Sequence, residues 1–165
     1  MSHVEFDVII VKDFMVPMRD GVRLATDIYK PAINGNALEG KFPTILERTP
    51  YNKELRCDYK GMYYAKRGYV FVVQDCRGRY QSEGDFYGYA NESLDGYDTV
   101  EWIAEQDWSN RKVGTQGTSY GGWVQSGLAL MNPPHLSSMF PNVSIFNAGL
   151  HSVRHAGAFE MRWLA

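Results

Sequence analysis

The stretch Val113–Trp123 reads Val-Gly-Thr-Gln-Gly-Thr-Ser-Tyr-Gly-Gly-Trp, and it decides the fold. Its residues 117–121 match G-x-S-x-G, the pattern of a sharp strand-to-helix turn that exposes a serine hydroxyl. Glycine is needed on both sides of the serine because a side chain there would collide with the neighbouring strand or helix. The pattern alone occurs often by chance, so its flanks must agree with it.

The flanking residues agree with the pattern. A short buried strand is predicted over Lys112–Thr115, and a helix over Trp123–Met131. Within that helix Val124 and Leu128 are spaced to share one apolar face with its last residue, and two prolines follow its end. A strand, a serine turn and a helix in succession therefore predict a nucleophile elbow.

The rest of the chain alternates between strand and helix patterns. An antiparallel hairpin is predicted from an apolar run over Phe6–Pro17, a turn over Met18–Gly21 and an alternating, half-buried strand over Val22–Tyr29. Further predictions are strands over Phe42–Arg48, Tyr69–Gln74 and Met139–Phe146, helices over Lys60–Arg67 and Ser93–Gln106, and a long loop over Asp75–Asn91. The loop's charges are interpreted as solvated or internally paired rather than catalytic. This order predicts an α/β fold with a mainly parallel sheet.

The composition describes an ordinary soluble protein. The 165 residues suffice for one domain with a core, 44% of them are hydrophobic, and the formal charge of -2 gives no basic excess for nucleic acid or an anionic membrane. The N-terminus lacks a basic region followed by an apolar run, and no apolar stretch approaches a membrane span, so we expect a cytoplasmic protein. Cys57 and Cys76 are isolated, which favours two reduced thiols over a metal site or a disulfide.

Five stretches together resemble one hydrolase family. They are Met18–Leu24, Arg48–Lys53, Gln74–Gly84, Asp95–Ile103 and the serine elbow, and they run in family order across nearly the whole chain. The chain resembles the N-terminal part of the family that includes bacterial cocaine esterase, α-amino acid ester hydrolases and Xaa-Pro dipeptidyl-peptidases.

The resemblance implies an α/β-hydrolase core, a helical cap inserted after the sixth strand, and a C-terminal β-sandwich domain. Residues 1–146 would be the N-terminal part of the catalytic domain and residues 147–165 the start of the cap. Family members act on ester or amide bonds without a metal or an organic cofactor. A core that stops near residue 146 leaves a strand edge unpaired, and such an edge favours aggregation or pairing with a second copy.

The resemblance also implies three site residues. Ser119 would be the nucleophile, which needs a histidine to take its proton and a carboxylate to orient that histidine. The oxyanion of the tetrahedral intermediate would be bound by the backbone N–H of Tyr120, the residue after the nucleophile. The second oxyanion donor would be the hydroxyl of Tyr51, in the family's Arg-x-Pro-Tyr segment.

The remaining triad residues do not follow in the expected order. In α/β-hydrolases an acid and then a histidine come after the serine. Beyond Ser119 the only acid is Glu160, and no histidine follows it. His135 is expected in an exposed loop, and His151 and His155 are interpreted as cap or pocket residues. We therefore expect an N-terminal fragment of a longer enzyme, inactive by itself.

The region before Gly157-Ala158-Phe159 bears on the substrate. α-Amino acid ester hydrolases carry acidic residues there to hold the substrate ammonium group, whereas this chain has His151-Ser152-Val153-Arg154-His155. That difference disfavours amino esters and leaves small esters, amides and short peptides open. The alternative is a catalytically silent α/β-hydrolase-like binding module, against which the presence of both Ser119 and Tyr51 argues.

Overall fold

The computed structural model describes residues 5–144, 154–155 and 158–159. The elements are β1 (Asp7–Pro17), β2 (Arg23–Ile33), β3 (Asn36–Ala37), β4 (Phe42–Thr49), α1 (Lys53–Ala65), β5 (Val70–Asp75), α2 (Glu92–Glu105), β6 (Ser109–Thr118), α3 (Tyr120–Leu130), β7 (Leu136–Asn142), β8 (Arg154–His155) and β9 (Ala158–Phe159). The main sheet has the order β1-β2-β5-β4-β6-β7, with β3 beside β2, and β8 pairs with β9. β5, β4, β6 and β7 run parallel, whereas β1 and β2 form an antiparallel hairpin. The predicted α/β fold is confirmed.

Strand β5 shows how the sheet separates two layers of core. Val70 and Val72 pack into a cluster with residues of α2 and α3 such as Val100. Phe71 and Val73 belong to a second cluster on the side of α1. These four residues of β5 are fully buried, as predicted for a central strand covered on both faces. Burying each such side chain contributes about 1.5–3 kcal/mol, so this strand anchors both layers.

Helix α1 begins earlier than the predicted range Lys60–Arg67, because it spans Lys53–Ala65. Asn52 caps it, with its side-chain oxygen accepting a hydrogen bond from the backbone N–H of Glu54 at 3.0 Å. Apolar residues show only weak helical periodicity in the first turns, so the capping residue Asn52 is the better indicator of where α1 begins. The last parallel strand likewise begins earlier than predicted, at Leu136, and residues 145–146 of the predicted strand lie outside the described residues.

The alternating sequence of β2 predicts a half-buried strand, but the strand is buried on both faces. Its residues 24–29 are all buried, because both faces of the strand are covered: Ile28 packs into the cluster on the α2 and α3 side, and Tyr29 into the cluster on the α1 side. The carboxylate of Asp27 is buried as well, with Lys12 at 2.9 Å and Lys53 at 3.0 Å. An alternating pattern predicts one polar face, but ion pairing within the protein removed that face from solvent.

The loop between β5 and α2 is internally paired, as predicted. Arg77 contacts Asp95 at 2.6 Å and Asp20 at 2.7 Å, so it ties the loop both to α2 and to the turn of the hairpin. Cys57 and Cys76 are both buried free thiols. Within residues 5–144, no helix combines the length and the apolar character that a membrane crossing requires.

Candidate active site

Ser119 occupies the turn between β6 and α3 in a strained conformation. Its φ of 60° and ψ of -119° are rarely adopted by a residue with a side chain. A Cβ atom on Gly117 would lie 2.4 Å from the carbonyl oxygen of Gly121, and one on Gly121 would lie 3.2 Å from that of Arg48. Close backbone approach therefore requires glycine at 117, whereas a side chain at 121 would need its neighbour to move by a few tenths of an ångström.

Backbone hydrogen bonds hold the turn on both sides. The N–H of Ser119 donates to the carbonyl oxygen of Asn142 at 3.0 Å, at the end of β7. The carbonyl oxygen of Ser119 accepts from the N–H groups of Gly122 at 2.9 Å and Trp123 at 3.0 Å. These hydrogen bonds to the neighbouring strand and to the first turn of α3 thus hold Ser119 in its strained conformation.

Tyr51 lies beside the serine. Its hydroxyl oxygen is 3.4 Å from Ser119 Oγ, although the two residues are far apart in sequence. Tyr51 follows β4, Ser119 follows β6, and these parallel strands are neighbours, so both residues lie at the carboxyl edge of the sheet. The segment before the tyrosine is held by Arg79, whose Nε donates to the carbonyl oxygen of Pro50 at 3.1 Å.

Tyr120 is the first residue of α3. Its backbone N–H is one of the first four helix N–H groups, which have no partner within a helix. Its hydroxyl donates to Glu92 Oε1 at 2.9 Å and accepts from the backbone N–H of Tyr89 at 2.8 Å. Burial, and then the charge of Glu92, raise the pKa of the Tyr120 hydroxyl, so it stays a protonated donor.

Several aromatic residues cluster at this edge of the site. The ring of Tyr89 stacks on Tyr120 with centroids 4.5 Å apart, and it lies 4.2 Å from the ring of Trp123. Phe86 contacts Tyr120 at 6.0 Å between centroids. The charge pattern of this loop predicts a structural role only. The signal for its role was the concentration of aromatic residues at 86, 87 and 89 within a Gly-rich loop.

A buried ion pair lies close to these aromatic residues, and no local sequence pattern indicates it. Arg48 Nη1 is 2.9 Å from Glu92 Oε2, and both side chains are at most 4% exposed. The same Nη1 donates to the carbonyl oxygen of Glu92 at 2.8 Å, while Arg48 Nε donates to Gln74 Oε1 at 2.8 Å. The pair connects the end of β4 to the start of α2.

Asp75 is a second buried carboxyl at the carboxyl edge of the sheet, at the end of β5. Its Oδ1 accepts the backbone N–H of Lys53 at 2.9 Å. Burial raises the pKa of Asp75 to about 6, and the hydrogen bond from Lys53 offsets this only in part.

His135 lies in the turn before β7, as predicted, but its side chain is paired and only partly exposed rather than solvent-exposed. Its Nδ1 is 2.7 Å from Glu101 Oε2 and its Nε2 is 2.9 Å from Arg111 Nη2, which leaves the side chain 20% exposed. These neighbours were far away in sequence, so no local pattern indicated them.

The strand register separates His135 from the serine. His135 precedes β7, whose Leu136 pairs with Val113 of β6. Ser119 lies six residues beyond Val113, or roughly 20 Å along the strand. The structure therefore brings Tyr51 and Tyr120 to Ser119 but not His135. His151, Glu160 and the side chain of His155 lie outside the described residues.

Comparison with known proteins agrees with this architecture. Residues 20–164 match the family model of the X-Pro dipeptidyl-peptidase (S15 family). The chain is 36% identical over 140 residues to a cocaine esterase from Rhodococcus sp. (strain MB1 Bresler), covering 82% of this chain and 24% of the relative.

Two solved structures are also similar. A CocE/NonD family hydrolase from Staphylococcus aureus superposes with a TM-score of 0.76 and 30% identity, over 87% of this chain and 29% of that one. An α-amino acid ester hydrolase gives a TM-score of 0.73 and 31% identity, over 90% of this chain and 27% of that one. The chain thus spans about a quarter of the length of the curated relatives it matches. The resemblance inferred from the sequence is confirmed: the chain belongs to the X-Pro dipeptidyl-peptidase (S15) family of hydrolases, which have the α/β-hydrolase fold.

Proposed function

We propose that this chain carries the nucleophile and the oxyanion hole of a serine hydrolase that cleaves ester or amide bonds through an acyl-enzyme. The observation that carries the proposal is the 3.4 Å separation of the Tyr51 hydroxyl and Ser119 Oγ at a strained strand-to-helix turn. In this proposal Ser119 attacks the substrate carbonyl and forms a covalent ester, which water then hydrolyses.

The oxyanion hole is the second part of the proposal. Attack on the carbonyl carbon places a negative charge on the carbonyl oxygen, which needs hydrogen-bond donors fixed in advance. The Tyr51 hydroxyl is one such donor, and the backbone N–H of Tyr120 is the other. Two features support this assignment: the start of α3 directly after Ser119, and the position of Tyr51 on the neighbouring strand end.

The general base and the orienting acid are proposed to come from later residues of a longer enzyme. His135 is not suited to the role, because it lies at the opposite end of the sheet and both ring nitrogens have partners. The chain covers 24% of the length of the cocaine esterase relative, so most of that relative has no counterpart in these residues. Residues 1–146 would then belong to the catalytic domain and residues 147–165 would begin the cap. By itself the portion is expected to be inactive.

The proposed substrates are small esters, amides or short peptides. The segment 151–155, just before Gly157, contains no acidic residue, which disfavours amino esters and leaves the choice between esterase and peptidase open. The relatives include a cocaine esterase and a putative Xaa-Pro dipeptidyl-peptidase, one from each class. A cytoplasmic location and pairing with a second copy stay predictions.

A fluorophosphonate probe tests the proposal on the full-length protein. An activated serine forms a covalent bond with the probe, so we expect stoichiometric labelling of Ser119, identified by mass spectrometry of the digested protein. The alternative, a catalytically silent binding module, predicts no labelling of a folded protein. Absence of labelling under conditions in which an authentic serine esterase labels would refute the proposal.

A further inference from the structure

The two proposed oxyanion donors come from segments that are distant in sequence. Tyr51 follows β4, and Tyr120 starts α3, so each donor is carried by a different element. Catalysis requires both donors to converge on one oxygen atom within a few tenths of an ångström. Something must therefore fix the end of β4 relative to the start of α3.

One carboxylate contacts both segments. Glu92 Oε1 accepts the hydroxyl of Tyr120 at 2.9 Å, and Glu92 Oε2 lies 2.9 Å from Arg48 Nη1. Arg48 stands three residues before Tyr51, and its carbonyl oxygen lies against the first turn of α3, where a Cβ on Gly121 would approach it to 3.2 Å. The side chain of Glu92 thus spans the gap between the two segments.

We propose that Glu92 is a positioning residue that holds the two oxyanion-donor segments in register through Arg48 and Tyr120. This inference rests on the proposed function. Glu92 contacts neither Ser119 nor Tyr51 directly in the described hydrogen bonds, so it acts through its two partners rather than on the substrate.

The burial of the pair favours a geometric role. Desolvating two charges costs about as much as their attraction returns, so a buried ion pair adds little net stability compared with apolar residues of the same size. What it adds is a fixed position for the carboxylate, because the Tyr120 hydroxyl donates to Glu92 Oε1 while the charge of the Arg48 guanidinium attracts Glu92 Oε2. Arg48 also keeps other neighbours, with Gln74 at 2.8 Å and Asp95 at 3.7 Å, so it stays oriented when Glu92 is altered.

The test compares three variants of the full-length enzyme with a matched control. Tyr120→Phe removes one hydroxyl but keeps the ring and the backbone N–H, whereas Glu92→Gln keeps an oxygen acceptor and Glu92→Leu removes both contacts. Tyr64→Phe is the control, because it also removes a tyrosine hydroxyl bond, to Gln116 at 2.8 Å, on the α1 side of the sheet. Turnover of a nitrophenyl ester is measured per fluorophosphonate-labelled serine, together with KM and the melting temperature.

We expect Tyr120→Phe to lower kcat about 10-fold with KM within twofold, because misplaced donors weaken binding of the transition state more than binding of the substrate. Glu92→Gln should lose about 3-fold and Glu92→Leu at least as much as Tyr120→Phe, while Tyr64→Phe keeps its kcat. If Glu92→Leu does not fold, Tyr120→Phe carries the test alone. An unchanged kcat per labelled serine in Tyr120→Phe, or a change confined to KM or melting temperature, overturns the inference. Failure of the wild-type protein to label would show that the proposed function itself is wrong, and the inference falls with it.

Discussion

The two ends of strands β6 and β7 carry contrasting polar clusters. At the carboxyl end Ser119 has a strained backbone, and its Oγ lies 3.4 Å from the hydroxyl oxygen of Tyr51, a residue that is 38% exposed. At the amino end His135 lies between Glu101 and Arg111, with both ring nitrogens engaged. A serine, a histidine and a glutamate are all present, yet the length of the strands separates the serine from the other two.

The contrast shows that residue type is a weaker guide to chemistry than the polarity of a parallel sheet. All the carboxyl ends meet at one edge, so residues after β4, β5 and β6 become neighbours whatever their distance in sequence. The amino ends meet at the other edge, where His135 makes a structural contact between α2 and β7. The following predictions test whether the chemistry is confined to the carboxyl edge.

The largest effect is expected for Ser119→Ala in the full-length enzyme. Removal of the nucleophile should lower kcat for a nitrophenyl ester roughly 10⁴- to 10⁶-fold, because the remaining site lacks an attacking group. Circular dichroism and the melting temperature should match the wild type. A purified, folded variant that retains most of its turnover would contradict the assignment and place the chemistry elsewhere.

Residues 1–165 alone should show no turnover above background. In the proposal the base and the acid come from later residues, and the remaining site then provides only about 10³–10⁴-fold over water, which a routine ester assay does not detect. Because β7 is an edge strand within the described part of the main sheet, we also expect the chain to aggregate or pair with a second copy in sedimentation experiments. A soluble monomer with Ser119-dependent turnover would mean that a histidine of this chain reaches the serine.

Tyr51→Phe in the full-length enzyme should reduce kcat about 10²- to 10³-fold, as for the loss of one oxyanion donor. KM should change little, because the hydroxyl matters most where negative charge develops. Steady-state kinetics of the nitrophenyl ester provide the measurement. If only KM rises, Tyr51 binds the substrate without stabilising the transition state.

Asp75 should make stability depend on pH with an unusual sign. Its pKa is raised from 3.8 to about 6 by burial, so the folded protein holds a proton between these values that the unfolded chain has released. The free energy of unfolding should therefore fall as pH rises from about 4 to about 6. Asp75→Asn should remove this part of the pH dependence in urea titrations at several pH values.

Asp58 offers a control of opposite sign for that experiment. The hydroxyl of Tyr29 and the ammonium of Lys12 hold the pKa of Asp58 below its usual value, so its contribution to stability is lost as pH falls. Asp58→Asn should leave the decrease between pH 4 and 6 in place. If Asp75→Asn and wild type have parallel stability curves, the carboxyl of Asp75 does not titrate in this range.

The smallest effect on activity is expected at the amino edge. His135→Gln should leave kcat within twofold, because the side chain is roughly 20 Å from Ser119. It should lower the free energy of unfolding by about 1 kcal/mol, since the contacts to Glu101 and Arg111 are lost. A loss of activity comparable with that of Tyr51→Phe would break the contrast between the two edges.

The sequence alone determined the features that depend on neighbouring residues. The turn around Ser119 needs glycine at position 117, because a Cβ there would lie 2.4 Å from the carbonyl oxygen of Gly121. The central strand β5 was predicted from its apolar run, because a strand covered on both faces needs no polar side. The resemblance to the family linked Tyr51 to Ser119, although no local pattern connects them.

Only the tertiary structure decided which distant groups meet. The bridge from Arg48 through Glu92 to Tyr120 joins three elements. The prediction of a half-buried β2 was wrong in part because Asp27 pairs with Lys12 of β1 and Lys53 of α1. The register of β7 on β6 places His135 at the amino edge of the sheet, whereas Ser119 lies at the carboxyl edge. Local backbone preferences depend on neighbouring residues, whereas burial, ion pairing and register depend on the whole folded chain.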